Sequence, residues 1–272
     1  MARPLTTVHG GLVRVVLAGV LAGALAGLFG VGGGILIVPA LVLFVHLPQR
    51  LAHGTSLAAI VPIALTGLLG YALDGKVDWA VAFFLAVGSA AIGAFVGTHL
   101  LHVVKTRSLV LGFAAVLLVT AVRLVADHSE SGGRAALTFG LVLVLVGVGV
   151  VSGILAGLLG VGGGVILIPA MVVLFGLPTA VAKGTSLAVI LPTAVVGTAR
   201  NLRTGNTDLR IAAAVGLAGM VAAFAAAQLA VGMDERLSNV TFAVLLVLVA
   251  IQMIVRELRQ PDEPSIEPPG EA

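Results

Sequence analysis

Apolar residues fall in long blocks along this chain, and short polar or glycine-rich stretches separate the blocks. Residues 137–159 and 240–255, for example, contain no charged side chain. A helix needs about 20 apolar residues to cross a bilayer core of about 30 Å. The strict alternation of polar and apolar residues that transmembrane strands require is absent. The pattern predicts an all-α, polytopic transmembrane bundle with about 8–10 membrane segments, some of them broken by glycine or proline.

The chain contains one unit twice. When the sequence is shifted by 130 positions, seven of the eight residues from Gly27 return from Gly157, with Leu159 in place of Phe29, and Gly54-Thr-Ser-Leu-Ala returns at Gly184. Over residues 27–62, 20 of 36 positions are identical without a gap. A match of this length indicates a duplicated structural unit, and it predicts two homologous repeats.

The repeats are predicted at residues 12–126 and 136–256, joined by a loop at 127–135 and followed by an acidic, proline-rich tail at 257–272 that is predicted to be disordered. Each repeat has five apolar segments: 12–29, 35–46, 55–73, 79–101 and 108–126 in the first, and 136–159, 165–175, 185–199, 209–231 and 240–255 in the second. The second segment of each repeat spans about 18 Å, too little to cross a bilayer alone. Five crossings per repeat would invert one copy relative to the other, as in many transporters. The distribution of basic residues fits eight crossings as well as ten.

Composition supports a membrane protein and removes several classes of function. The chain is 59% hydrophobic and 10% charged, whereas a soluble domain has about 25% charged residues. It has no cysteine, so disulfides and thiolate chemistry are excluded. Motifs for metal binding, a nucleophilic elbow or a phosphate loop are absent. We therefore expect no catalytic residues, metal, cofactor or nucleic acid, and we expect a multi-pass protein of the cell membrane that contacts lipid and a small anionic solute. The sequence leaves open whether the chain forms a homo-oligomer.

The two glycine-rich runs are the first candidate for a binding site. Residues 30–34 and 160–164 each hold four glycines in five positions, and each glycine costs a helix about 1 kcal/mol relative to alanine. Broken backbone at membrane depth is tolerated only inside protein or beside a wet cavity, and the N–H groups that start the next helix attract anions. The alternative is a tight turn that touches no ligand. The candidate residues are Gly32, Gly33, Gly34, Gly162, Gly163 and Gly164.

Polar side chains near the repeated Gly-Thr-Ser runs are the second candidate. Their hydroxyls are those of Thr55, Ser56, Thr185 and Ser186. These residues predict either a helix N-cap or a set of donors to an oxyanion. Lys183, directly before the second run, is either a loop charge at the lipid headgroups or a positive charge beside the anion. Arg200 and Asn201 lie near the end of an apolar helix, where an arginine binds a ligand or snorkels to the membrane surface.

The doubled motifs resemble those of a known family. Gly-Leu-Phe/Leu-Gly-Val-Gly-Gly-Gly, then Pro-Ala, then Gly-Thr-Ser-Leu-Ala, with an aspartate at Asp78 and Asp208, are similar to the TauE/SafE sulfite and organosulfonate exporters. The likeness covers residues 15–256. It implies a permease for small sulfur-containing anions and places the binding residues at 30–34, Thr55, Ser56, 160–164, Thr185 and Ser186.

These observations combine into one functional hypothesis. No aspartate or glutamate lies inside an apolar segment, which disfavours a buried proton relay or a carboxylate cation site. We expect a transporter, and not an enzyme, that exports sulfite or an organosulfonate by alternating access between the two repeats. Uptake of an organic anion and a non-transporting scaffold or accessory subunit are the alternatives.

Overall fold

The computed structural model describes residues 8–93, 106–126, 138–159 and 163–259, and the regular elements in these ranges are all helices. They are α1 (Val8–Phe29), α2 (Gly34–Phe44), α3 (Gln49–Leu73), α4 (Trp79–Ala86, continued by a π-helix over Val87–Gly93), α5 (Thr106–Ala126), α6 (Phe139–Leu159), α7 (Gly164–Phe175), α8 (Thr179–Arg203), α9 (Leu209–Val231) and α10 (Glu235–Arg259). Each predicted repeat therefore supplies five helices in the same order, and the all-α prediction is confirmed.

A sharp turn separates the first two helices of each repeat. Gly33 and Gly163 precede α2 and α7 with φ angles of 76° and 79°. This left-handed conformation strains any residue that has a Cβ, so glycine is the residue that allows it. The short helices that follow have 11 and 12 residues. The predicted breaks and the predicted short second segments are confirmed.

The third helices of the two repeats, α3 and α8, cross at the centre and run antiparallel. Gly67 of α3 faces Leu187 of α8, and Gly197 of α8 faces Leu57 of α3. Adding 130 to the residue number of each glycine or leucine in the first repeat gives its counterpart in the second, so the two contacts are equivalent with the two helices exchanged. Reciprocal contacts of this kind are the property of a two-fold relation, here between the two halves of one chain.

The first helix of each repeat packs on the fourth helix of the other. Gly23 and Gly27 of α1 lie against Gly219 and Ala223 of α9, and α6 lies in the same way against α4. Glycines spaced by four let two backbones approach closely. Ile63 and Gly67 of α3 contact the same two residues, Gly219 and Ala223, in the same order, so both α1 and α3 run parallel to α9. The short α2 therefore returns the chain between them.

Much of the outer surface of the bundle is apolar. Leu217, Val221 and Val122 expose 64%, 77% and 66% of their surface, and such extended apolar exposure is suited to lipid. Among the described residues, four helices are long and apolar enough to cross a membrane, namely α3, α8, α9 and residues Glu235–Gln252 of α10. The choice between eight and ten crossings, and the inverted orientation of the repeats in a bilayer, stay predictions.

Several predicted boundaries differ from those in the structure. α3 and α8 begin six residues before the predicted segments, at Gln49 and Thr179, because Pro48 and Pro178 occupy their N-caps. α10 runs to Arg259, so the first three residues of the segment predicted to be disordered are helical. The predicted connecting loop at 127–135 and the rest of the predicted tail lie outside the described residues.

Candidate functional site

The first glycine-rich turn and the described end of the second run, Gly163 and Gly164, meet at the centre of the bundle. A side chain on Gly164, the first residue of α7, would collide with the backbone of Gly30 and Val31 in the opposite turn. Gly32 faces the side chains of Ile190 and Ile60, two equivalent residues of α8 and α3 that are fully buried. The structure therefore brings both turns and both central helices to one place. Gly162 lies outside the described residues.

The first turn presents several backbone N–H groups. Gly30 donates to the Ala26 carbonyl, and Leu36 and Ile37 donate to the Gly33 carbonyl. For the N–H groups of residues 31–35, the described part of the chain supplies no backbone acceptor. The first N–H groups of a helix have no partner inside it, and here they lie within the protein. This arrangement attracts negative charge.

One face of α8 lies along this turn. Lys183 is directly beside Gly30, and Ile190 is beside Gly32. Ser186 is three residues after Lys183 and four before Ile190, so helical periodicity places it on the same face between them. Ser186 is fully buried, and its Oγ has no hydrogen-bond partner among the described residues. An unsatisfied buried hydroxyl costs about 1–3 kcal/mol, which calls for a compensating role.

The threonines of the Gly-Thr-Ser runs hold the two repeats together. Thr55 Oγ1 accepts a hydrogen bond from the Asp208 N–H at 3.0 Å, and Thr185 Oγ1 accepts one from the Asp78 N–H at 2.9 Å. Both threonines lie inside long helices, so the prediction that these runs form N-caps is wrong. The caps of α4 and α9 are Asp78 and Asp208, whose carboxylates accept from the first backbone N–H groups of those helices. Ser56 is fully buried and has a partner.

Lys183 is buried, with 1% of its surface exposed. Its Nζ donates to Ser238 Oγ at 2.7 Å and lies 5.7 Å and 5.6 Å from the ring centroids of Phe29 and Phe242. The alternative of a loop charge at the headgroups is therefore wrong. Sequence reasoning missed Ser238, Phe29 and Phe242, because their contacts with Lys183 join helices far apart in the chain.

Arg200 and Asn201 lie away from the glycine turns. Arg200 is exposed in the last turns of α8, 17 residues after Lys183 and therefore about 25 Å further along the helix axis. Asn201 Nδ2 donates to the Gly197 carbonyl at 2.9 Å, and its Cβ packs close to Gly54. The structure separates this pair from the glycine turns and from Lys183, and it places Asn201 beside the run that contains Thr55 and Ser56.

Three further buried hydroxyls lie on the same side of the bundle as Ser186. Ser89, in the π-helical part of α4, and Thr193 of α8 have hydroxyl oxygens 2.8 Å apart. Ser152 Oγ of α6 donates to the Gly163 carbonyl at 3.1 Å. Single polar residues in apolar segments carry little signal in the sequence, and only the fold shows that these lie close to the second glycine turn.

Comparison with known proteins gives a consistent result over nearly the whole chain. The family model described as "Sulfite exporter TauE/SafE" matches residues 3–124 and 145–271. The chain is similar to the probable membrane transporter protein YunE of Bacillus subtilis, with 26% identity over 89% of this chain and 97% of that protein. It is 29% identical to a probable membrane transporter protein of Xylella fastidiosa, over 90% of this chain and 95% of that protein. A probable membrane transporter protein of Methanocaldococcus jannaschii is 26% identical over 72% of this chain and 74% of its own length.

Proposed function

The chain belongs to the TauE/SafE family of multi-pass membrane transporters, and we propose on that basis that it exports a small sulfur-containing anion such as sulfite or an organosulfonate. The substrate class and the direction follow the description of the family model, "Sulfite exporter". Transport of this kind moves the solute unchanged, so the protein needs no catalytic group.

One observation carries the proposal. Ser186, whose buried hydroxyl has no partner among the described residues, lies on the face of α8 between Lys183 and Ile190, which contact the first glycine turn, and the N–H groups of residues 31–35 in that turn have no backbone acceptor among the described residues. A hydroxyl and backbone N–H groups are donors, and an oxyanion with several oxygens accepts from all of them. The positive end of the α2 dipole adds to this attraction. Donors of both kinds can replace the hydration shell that an anion loses on entering the protein.

The central contact is closed in this arrangement. Gly164 at the start of α7 touches the first glycine turn, and Ile60 and Ile190 fill the space beside that turn. A cavity of about 20 Å³ adjoins the first turn, lined by Leu25, Val31, Gly33, Ile35, Leu36 and Leu245. That volume holds about one water molecule, which is less than an anion needs. Transport therefore requires the repeats to separate at this contact, as alternating access between two halves provides.

The membrane potential supports export as the direction of transport, and so does the lack of acidic residues among the buried residues that the structure describes. An inside-negative potential favours the exit of an anion by about 2.3 kcal/mol per charge per 100 mV. Uptake against that potential needs a coupling ion, which carboxylates commonly bind inside membranes. No aspartate or glutamate is among the buried residues that the structure describes. Export driven by the potential alone is therefore the simpler scheme.

Purified protein in liposomes loaded with sulfite or methanesulfonate tests the proposal. We expect efflux that rises with an imposed inside-negative potential and is absent from liposomes that are loaded with the same anion but contain no protein. Ser186→Ala removes one donor and should lower efflux about tenfold, the factor that corresponds to about 1.4 kcal/mol, while the variant keeps its thermal stability. Thr204→Ala, which removes an exposed hydroxyl at the end of α8, is the control and should match the wild type. Efflux equal to that of the loaded, protein-free liposomes would refute the proposal.

A further inference from the structure

We propose that Lys183 is the counter-charge of the transported anion, and that it limits the substrate to a single negative charge. The inference rests on the proposed function and names a narrower substrate class for the same site: an organosulfonate or hydrogensulfite, and not a dianion such as sulfate. It also assigns Ser238, Phe29 and Phe242 as the residues that position the Lys183 ammonium group.

The ammonium group of Lys183 is held by neutral partners. Ser238 Oγ accepts its hydrogen bond, and the faces of Phe29 and Phe242 lie within 6 Å of Nζ. The two rings are themselves stacked, with centroids 6.2 Å apart. Ring faces and a hydroxyl oxygen stabilise a cation and still leave its charge uncompensated. In the described part of the chain, no carboxylate forms an ion pair with Lys183.

A buried cation without a counter-charge is costly, and inside a membrane protein it indicates a function. Lys183 is the one charged residue among the buried side chains that the structure describes. Its partners come from two other helices: Phe29 ends α1, and Ser238 and Phe242 lie on α10. The fold thus keeps the charge in a fixed place instead of letting it reach the membrane surface.

That place adjoins the proposed anion site. The Lys183 backbone touches Gly30, the first residue of the glycine turn, and the Phe29 ring beside Nζ belongs to the residue just before it. Ser186 lies one turn further along α8 on the same face. An anion bound by Ser186 and the N–H groups of residues 31–35 therefore lies next to the ammonium group and supplies the negative charge that Lys183 lacks.

Charge balance at the site sets the number of negative charges that the substrate carries. One buried cation neutralises one negative charge, and a second negative charge would stay uncompensated in a medium of low dielectric constant. The N–H groups and the hydroxyl add partial charges that solvate oxygen atoms without changing the net charge. A sulfonate or hydrogensulfite matches this balance, because each carries several oxygens and one charge.

The arrangement occurs in one repeat only. His53 stands at the position equivalent to Lys183, Leu159 at that of Phe29, and Gly112 at that of Phe242. The first repeat therefore lacks both the lysine and the aromatic pair that holds it. One counter-charge per chain predicts one transported anion per cycle, even though the scaffold is duplicated.

Comparison of two anions in liposomes tests the inference. Wild-type protein should release methanesulfonate at least tenfold faster than sulfate under the same imposed potential. Lys183→Gln should lower methanesulfonate efflux at least tenfold, and Lys183→Arg, which keeps the charge, should retain a measurable part of it. Arg203→Gln removes an exposed cation from the same helix and should stay within twofold of the wild type.

A binding measurement separates the role of the charge from a loss of folding. Methanesulfonate should raise the melting temperature of the wild-type protein in detergent, while the uncharged isostere methanesulfonamide should not, because a ligand stabilises only the state that binds it. Lys183→Gln should lose this discrimination. Ser238→Ala should raise the KM for methanesulfonate about threefold to tenfold with little change in maximal rate, and Ser238→Thr should restore it.

The outcomes distinguish the inference from the proposed function. If the wild type moves methanesulfonate and sulfate equally, or if Lys183→Gln keeps both the wild-type efflux and the charge discrimination, the assignment of Lys183 is wrong while anion transport stands. If the wild type moves neither anion nor sulfite, the transport proposal fails and the inference is overturned with it.

Discussion

The two sides of the central helix pair share a backbone arrangement and differ in the polar groups that they bury. On one side, Thr193 of α8 shares a hydrogen bond with Ser89 of α4. On the equivalent side, Ile63 of α3 packs on Gly219 of α9. Ser152 of α6 likewise corresponds to Ala22 of α1, and Lys183 corresponds to His53. The duplicated positions form the scaffold, and the positions that differ give one half of the bundle its polar interior.

This difference indicates where an anion would be stabilised. A symmetric scaffold can separate along a two-fold interface, whereas only the half that contains α8 offers Lys183 and the unpartnered Ser186. Substitution of a residue that both halves share should therefore lower the stability by about the same amount as substitution of its equivalent in the other half. Substitution of a residue that differs between the two repeats should affect transport, and substitution of its equivalent in the other repeat should not.

Adding a side chain where two backbones of the scaffold touch should have the largest effect. A Cβ on Gly23 would overlap the Gly219 backbone, and overpacking against backbone costs about 3 kcal/mol. Gly23→Ala should therefore lower the free energy of unfolding in mixed micelles by about that amount, and Gly153→Ala, its equivalent, by a similar amount. Gly147 has open space around it, so Gly147→Ala should be neutral or stabilising. Unchanged stability of Gly23→Ala would contradict the α1–α9 contact.

Replacing the buried cation should stabilise the fold while it impairs transport. Lys183→Met keeps the length of the side chain and removes an uncompensated charge from the interior. The replacement of buried charges by apolar residues commonly stabilises proteins by about 1–4 kcal/mol. We expect a higher melting temperature in the absence of anion. A lower melting temperature would show that the Ser238 and ring contacts outweigh the cost of burying the charge.

The two cross-repeat threonines should contribute equally. Thr55→Val and Thr185→Val each keep the shape of the side chain but leave the N–H of Asp208 or Asp78 without its acceptor. An unsatisfied buried N–H costs about 1–2 kcal/mol. Unfolding measurements should give losses of that size that agree within about 0.5 kcal/mol. Clearly unequal losses would argue against the two-fold relation at this position.

The hydroxyl pair that only one half possesses should show the smallest effect. Thr193→Val leaves the Ser89 hydroxyl without its partner and should cost about 1 kcal/mol. Ser89→Ala should cost less, because the Thr193 hydroxyl still donates to the Val189 carbonyl at 2.8 Å. The double variant resembles the apolar pair of the other half and should cost less than the sum of the two single changes. A double-mutant cycle measures this coupling, expected at about 0.5–1.5 kcal/mol. Strictly additive losses would mean that the two hydroxyls do not interact.

The sequence alone predicted the helical class, the two repeats, the glycine breaks and the short α2 and α7. These features depend on local composition: apolar runs of bilayer length, and glycines that destabilise a helix wherever they cluster. The family also followed from the doubled motif. The predicted starts of α3 and α8 lie too far along the chain, because the first turns of these helices carry polar residues after Pro48 and Pro178 and so fall outside the apolar blocks.

The tertiary structure decided which of the candidate residues act together. Thr55 and Thr185 proved to be cross-repeat acceptors, Lys183 a buried cation, and Arg200 a distant exposed residue. These assignments depend on contacts between residues far apart in the chain, such as Lys183 with Ser238 and Thr55 with Asp208, which are 55 and 153 residues apart. A sequence determines local periodicity and breaks directly, whereas the environment of a side chain depends on which helices pack beside it. That packing is a property of the whole fold.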